Sequence, residues 1–301
     1  MLEILVRAGC FAAIIVLGYS LKKIGFFKKE DFNILSKIVI KITLPASIIF
    51  NFSGKEIVPS MLIITLFGFG CGVIYAFLGW ILNKKRGKEW QAFEMLNMSG
   101  YNIGNFTMPF VQSFLGSTGV ITTSLFDTGN AFVCLGGAYS VASVVKDGGK
   151  ISGKRIFKTL IKSVPFDCYV IMTALCLLKV SLPMPIVNLA EIIAGANAFM
   201  AMLMIGVGFE LNSNKEQLSS VIRVLAVRYL LAFLFAWCFY CLTPFSGEIR
   251  KTLVILCFGP IAAAVPAFTA ELKGDVGLSS AINSLSIIIS ILLIVSTLLI
   301  L

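Results

Sequence analysis

Apolar and polar positions alternate along this chain in long blocks. Ten apolar segments, at 4–21, 32–52, 58–82, 91–115, 120–145, 163–180, 186–211, 218–242, 249–272 and 276–301, come close to the roughly 20 residues a helix needs to cross a bilayer. Two of them are interrupted. The fourth contains Tyr101-Asn-Ile-Gly-Asn-Phe-Thr-Met-Pro-Phe110, and the ninth breaks between Gly259 and Pro266. Glycine and proline set among polar side chains at mid-depth free backbone groups that must be satisfied locally, so each segment reads as a broken helix. Pairing Pro109 with Pro266 offsets the halves by 157 residues, and the same offset carries Asp127 onto Ser284. Five helices is an odd number, so a repeated unit of that size enters the membrane in opposite orientations. The expected fold is an all-α polytopic membrane protein of ten transmembrane helices. Its two inverted five-helix repeats would cross at broken helices four and nine: 1–145 is the first repeat, 146–162 a basic cytoplasmic loop and 163–301 the second repeat.

Composition agrees: 58% of the residues are hydrophobic and 13% charged, outside the range of soluble globular chains. The net charge of +10 does not point to nucleic acid, because the basic residues sit in short loops between apolar runs. Loops after helices one, three, five, seven and nine hold about 16 lysines and arginines against about 5 on the opposite side, which puts both termini outside. The first segment carries Glu3 and Arg7 and no small-residue cleavage site, so it reads as a retained helix and not a signal peptide. The eight cysteines lie in apolar segments and read as packing residues; Cys238 and Cys241 lack the second ligand pair of a zinc site. There is no histidine. No metal or cofactor is expected, and neither a nucleophile with a base nor a carboxylate dyad is visible, so an enzyme is not expected.

The candidate chemistry lies at the interruptions. Glu94, Asn97, Tyr101 and Asn105 share a helical face, and Asn102 and Gly104 begin the break. The half-helix entered at Thr107 presents unpaired N–H groups and a positive dipole end, which with asparagine donors suits a carboxylate without a formal positive charge. The alternative is that these asparagines only knit helices together, at about 0.6–2 kcal/mol per bond. Asp127 would cost about 2.5–3.5 kcal/mol at the bilayer centre, so it either carries a proton in a polar cavity or stays bonded to Asn130. Lys37 and Lys41 could draw an anion inward or snorkel to the headgroups. Arg228 and Asp167 could pair or could mark helix ends. Gly148 to Lys154 has phosphate-loop spacing, but Arg155 stands where serine or threonine is required and no strand precedes it.

Several of these stretches resemble the auxin efflux carrier family, which includes plant PIN-type exporters and bacterial permeases for malonate or malate. They are Leu44-Pro45-Ala46, Asn102-Ile-Gly-Asn105 with Pro109, Asp127-Thr-Gly-Asn130, Gly259-Pro260 followed by Pro266, and Gly274-Asp275. The resemblance spans the whole chain. It implies a scaffold domain, a moving transport domain whose crossover helices cradle the substrate, organic anions as substrates, and a homodimer. Asn102 matches the crossover asparagine that contacts the carboxylate in plant members, and Asn105 matches it less closely. A short central loop replaces the long hydrophilic loop of the plant exporters, which points to the prokaryotic branch and a prokaryotic cell membrane.

The function expected is a secondary transporter moving a small organic anion, auxin-like or a dicarboxylate, by alternating access. Asn102, Asn105, Gly104 and Thr107 would meet the substrate, Asp127 and Asn130 would tune polarity or coupling, and Pro109, Gly259 and Pro266 would shape the crossing. Two alternatives stay open. One is a sodium- or proton-coupled carrier of the bile-acid transporter or antiporter type; the other is a membrane sensor that binds its ligand without moving it.

Overall fold

The computed structural model describes residues 2–28, 30–148, 151, 153–209 and 218–301. All regular structure among the described residues is helical. In chain order the helices are α1 (Leu2–Lys23), α2 (Asp31–Phe52), α3 (Ile63–Leu82), α4a (Lys88–Met98), α4b (Met108–Phe114), α5 (Gly116–Asp147), α6 (Val164–Leu177), α7 (Met184–Gly208), α8 (Leu218–Leu242), α9a (Gly247–Cys257), α9b (Val265–Glu271) and α10 (Val276–Ile300). Seven helices among the described residues are long and apolar enough to cross a membrane. The other three expected segments are α6, which is shorter, and the two pairs of half-helices, neither half of which could cross alone. The expected end of the seventh segment, at 211, lies outside the described residues, as do Lys29 and Lys150 of the basic loops. Within the expected central loop the chain forms a short helix, Gly153–Leu160.

Irregularities fall where proline and glycine demand them. Proline has no N–H and its ring clashes with the carbonyl four residues back, so a helix must loosen ahead of it. A π turn at Val39–Thr43 precedes Pro45, and another at Ile103–Thr107 precedes Pro109. A third, Val133–Gly137 in α5, contains Gly136 at φ +139°, and the helix kinks there.

The helices sort into two bundles. Helices α1, α2, α6 and α7 pack on one another, while α3, α5, α8, α10 and the four half-helices form the second group. Each bundle takes helices from both halves of the sequence. Close approach in each rests on glycine: a Cβ added at Gly206 would overlap the Ile15 carbonyl between α7 and α1, and one at Gly129 would overlap the Thr65 carbonyl between α5 and α3. Small residues that let backbones touch are how helices gain packing energy where the solvent is as apolar as their side chains. Large apolar side chains such as Leu66, Ile192, Leu230 and Leu292 point outward, as a lipid solvent allows.

Candidate functional site

The two breaks meet inside the second bundle. After α4a the chain runs extended through Ser99, turns at Gly100 with φ +75°, and re-enters helix at Ile103. A side chain at Gly100 would meet the Cys134 sulfur at 2.6 Å as well as an unfavourable φ. The second break spans 258–264, between α9a and α9b. The N–H of Asn102 donates to the carbonyl of Pro260 at 2.8 Å, joining the breaks main chain to main chain. Gly259 lies so close to Thr107 that a Cβ there would be 2.9 Å from the threonine hydroxyl.

Backbone groups freed at the breaks are satisfied by side chains from neighbouring helices. Asn130 of α5 grips Tyr101 twice, accepting from its N–H at 3.0 Å and donating to its carbonyl at 3.0 Å. In the second break Ser286 accepts from the Ile261 N–H at 3.1 Å, and Asn283 donates to the carbonyls of Ile261 and Ala262 at 3.2 and 3.1 Å. Arg228 of α8 serves both. Its guanidinium donates to the Met98 carbonyl and to those of Gly100, Gly259 and Pro260 at 2.9, 3.2 and 3.5 Å.

Asn102 stands where two cavities join. One, of about 290 Å³, is bordered by Gly104, Asn105, Asp127, Asn130 and Tyr169 and by the first turns of α2 and α6. The other, of about 490 Å³, runs between α7, α9b and α10 and includes Pro266 and Asn283. Asn102, Phe32 and Ala263 border both. The Asn102 side chain is 7% exposed and makes no hydrogen bond among the described residues; the Asn105 side-chain oxygen is buried without a partner. Asp127 is held, its two oxygens accepting from Asn130 at 2.8 Å and from the Tyr169 hydroxyl at 2.9 Å.

The expected site residues therefore divide by position. Asn102, Gly104, Asn105, Asp127 and Asn130 share the first cavity, and Pro266 borders the second. Thr107 and Gly259 are in contact with each other at the crossing, and the Thr107 hydroxyl donates to the Asn102 carbonyl at 3.5 Å. Pro109 is buried in the first turn of α4b and borders neither cavity.

A family described as membrane transport protein matches residues 11–301 of this chain. The chain belongs to the membrane transport protein family. This is the family of the auxin efflux carriers, so the resemblance carried by the Asn102, Asp127 and Gly259 stretches holds. An uncharacterized transporter of Methanothermobacter thermautotrophicus is 24% identical over 290 residues, with 92% of each chain covered.

In this membrane transport protein several of the other polar candidates have structural partners. Glu94, almost fully buried, pairs with Arg223 of α8 and with Arg86 at 3.4 Å, and accepts from Asn83 at 2.5 Å. Asn97 is tied to Ser279 at 2.6 Å and Thr269 at 3.4 Å, knitting α4a to α10 and α9b. Lys37 and Lys41 are exposed. Arg228 and Asp167 do not pair: the arginine holds carbonyls, and the aspartate sits in the first turn of α6. Tyr169 and Asn283 were not among the expected site residues. Tyrosine and asparagine in apolar helices carry no spacing that ties them to partners on other helices.

Proposed function

We propose that this membrane transport protein is a secondary transporter that carries a small organic anion through its carboxylate by alternating access. Ten transmembrane helices, arranged as two inverted five-helix repeats, would supply the moving and fixed bundles, with a homodimer as the assembly. The observation that carries the reading is Asn102: a buried side-chain amide with no hydrogen-bond partner among the described residues, at the junction of two cavities, beside the N-terminal turn of a half-helix. The half-helix is entered at the π turn Ile103–Thr107 and not, as expected, at Thr107, whose N–H donates to the Asn102 carbonyl at 3.3 Å. The first N–H groups of that turn lack intrahelical partners, and the dipole adds partial positive charge. An asparagine donor and unpaired N–H groups suit an anionic oxygen.

Geometry also supports a direction. Both cavities reach helix ends that adjoin the basic loops, the side the charge rule reads as cytoplasmic. Towards the opposite side, Gln112 of α4b joins Ser47 of α2 and Asn197 of α7 at 2.9 and 3.4 Å, bridging the bundles. The conformation reads as open to the inside.

The test is the unfolding midpoint of the purified protein across mono- and dicarboxylates, with and without sodium, at two pH values. A ligand at about a hundred times its dissociation constant adds about 2.7 kcal/mol. A carboxylate that stabilises the protein but not Asn102→Ala supports the reading. Stabilisation by sodium alone, or by no carboxylate, sinks it.

A second reading, proton coupling, rests on Asp127, which borders the same cavity under the hydroxyl of Tyr169.

A further inference from the structure

The Arg228 side chain is 1% exposed, and no carboxylate lies within ion-pair distance of it among the described residues. Four main-chain carbonyls accept hydrogen bonds from it, two at each break or the helix end leading into it. The rings of Tyr75 and Tyr101 lie 4.8 and 4.9 Å from its central carbon, close enough for both to attract the cation through their faces. Met98 ends α4a and Gly100 lies just beyond it, and Gly259 and Pro260 follow the C-terminal end of α9a, so two negative dipole ends converge on one charge. Converging carbonyls from unwound, crossed half-helices are the donor set with which transporters coordinate a monovalent cation. Here a side chain fills it.

We propose that Arg228 is a tethered cation: its guanidinium occupies the carbonyl cluster that a free monovalent cation would otherwise ligate, and so makes anion binding beside Asn102 independent of sodium. A diffusible cation enters and leaves, and each departure changes the charge of the crossing. A tethered one keeps the crossing positive and the breaks joined throughout the cycle. Arg228 acts through the backbone it holds and is a positioning residue. The inference deepens the anion reading above, but the carbonyl cluster can be tested without any anion.

Truncation in Arg228→Ala leaves a cavity lined by carbonyls and tyrosine rings, shaped for a planar cation. The probe is guanidinium chloride at about 10 mM, far below denaturing concentration, with urea at the same concentration as its uncharged counterpart. The expected result is a rise of about 2–4 °C in the unfolding midpoint of Arg228→Ala, absent in the wild type and absent with urea. A rise with sodium or potassium as well would support a general cation cluster. Equal effects of urea and guanidinium, or none from any cation, would overturn the proposal. Should the variant not fold, the wild type still decides: a carboxylate-induced shift that is the same in sodium and in choline buffer supports the tethered cation, and one that needs sodium overturns it. If no carboxylate shifts the wild type yet guanidinium rescues the variant, the anion reading falls and the tethered cation stands.

Discussion

The main-chain N–H of Asn102 donates to the carbonyl of Pro260 at 2.8 Å, so the residue at the mouth of α4b is oriented by the second half of the chain. Its backbone is fixed and its side chain is not spent. The neighbouring Asn130 is the opposite case, with its amide consumed by Tyr101 and Asp127.

Asn102→Ala should therefore separate binding from folding. A hydrogen bond to a charged partner contributes about 1.5–3 kcal/mol, so carboxylate affinity should fall about 10- to 100-fold, with the unfolding midpoint nearly unchanged. Asn130→Ala should lower the midpoint, because each buried Tyr101 group left unpaired costs about 1–3 kcal/mol. Calorimetric titration and thermal unfolding of both variants check this. Wild-type affinity in Asn102→Ala would remove that residue from the site.

How far this was legible in the sequence follows from the kind of partner each residue has. The breaks could be read because Gly104, Pro109, Gly259 and Pro266 contradict the apolar helix around them, and that contradiction is local. The partners of Arg228 are main-chain carbonyls, which every residue has, so its sequence context could not separate holding a break from ending a helix. Tyr169 reaches Asp127 across helices with no fixed spacing between them. Glu94 shares a helical face with Asn97 and Tyr101, yet its partners are Asn83, Arg86 and, on α8, Arg223, because helical periodicity tells which residues align and not what faces them. The sorting of ten segments into two bundles is a matter of packing, and order along the chain does not carry it.

The α3–α5 contact gives a stability prediction with an internal control. A Cβ at Gly129 would overlap the Thr65 carbonyl, which is backbone and cannot rotate away, whereas a Cβ at Gly70 on α3 meets nothing within 4 Å. Gly129→Ala should cost about 3 kcal/mol, the upper range for overpacking, and Gly70→Ala should stay within about 0.5 kcal/mol. Thermal unfolding in detergent reads both. Equal midpoints for the two variants would mean that the helices part more easily than the close approach implies.

On the proposed reading, Asp127 should set the pH dependence of binding. An ionised carboxylate beside Gly104 and Asn105 repels an anionic ligand and a protonated one does not, so binding should take up a proton at Asp127. Affinity then rises as pH falls, by up to about tenfold per unit for one proton. With a monocarboxylate ligand, fully ionised between about pH 6 and 8, the slope belongs to the protein. Asp127→Asn should bind the same ligand with no slope. A flat wild-type profile would take Asp127 out of the binding reaction and remove the observation behind proton coupling.

The contact between Gln112 and the first bundle should set how often the side opposite the cavities opens. Ser47 and Asn197 both donate to the Gln112 side-chain oxygen, its amide donates to the Ala194 carbonyl at 3.4 Å, and Thr43 donates to Asn197 at 2.9 Å. α4b belongs to the second bundle and the other residues to the first, so movement of one bundle past the other must break these bonds. Inside a membrane each contributes about 0.6 kcal/mol, and losing two or three removes about 1–2 kcal/mol, a factor of about 5–30 in the population of the opened arrangement. Gln112→Leu keeps the size and removes the bonds. Hydrogen exchange of the α4b amides should accelerate by that factor in the variant, while amides in the middle of α8 stay unchanged. Acceleration everywhere would report general loosening, and none at α4b would mean that the closed side is held by apolar packing such as Phe11 against Phe110, whose ring centroids lie 4.9 Å apart.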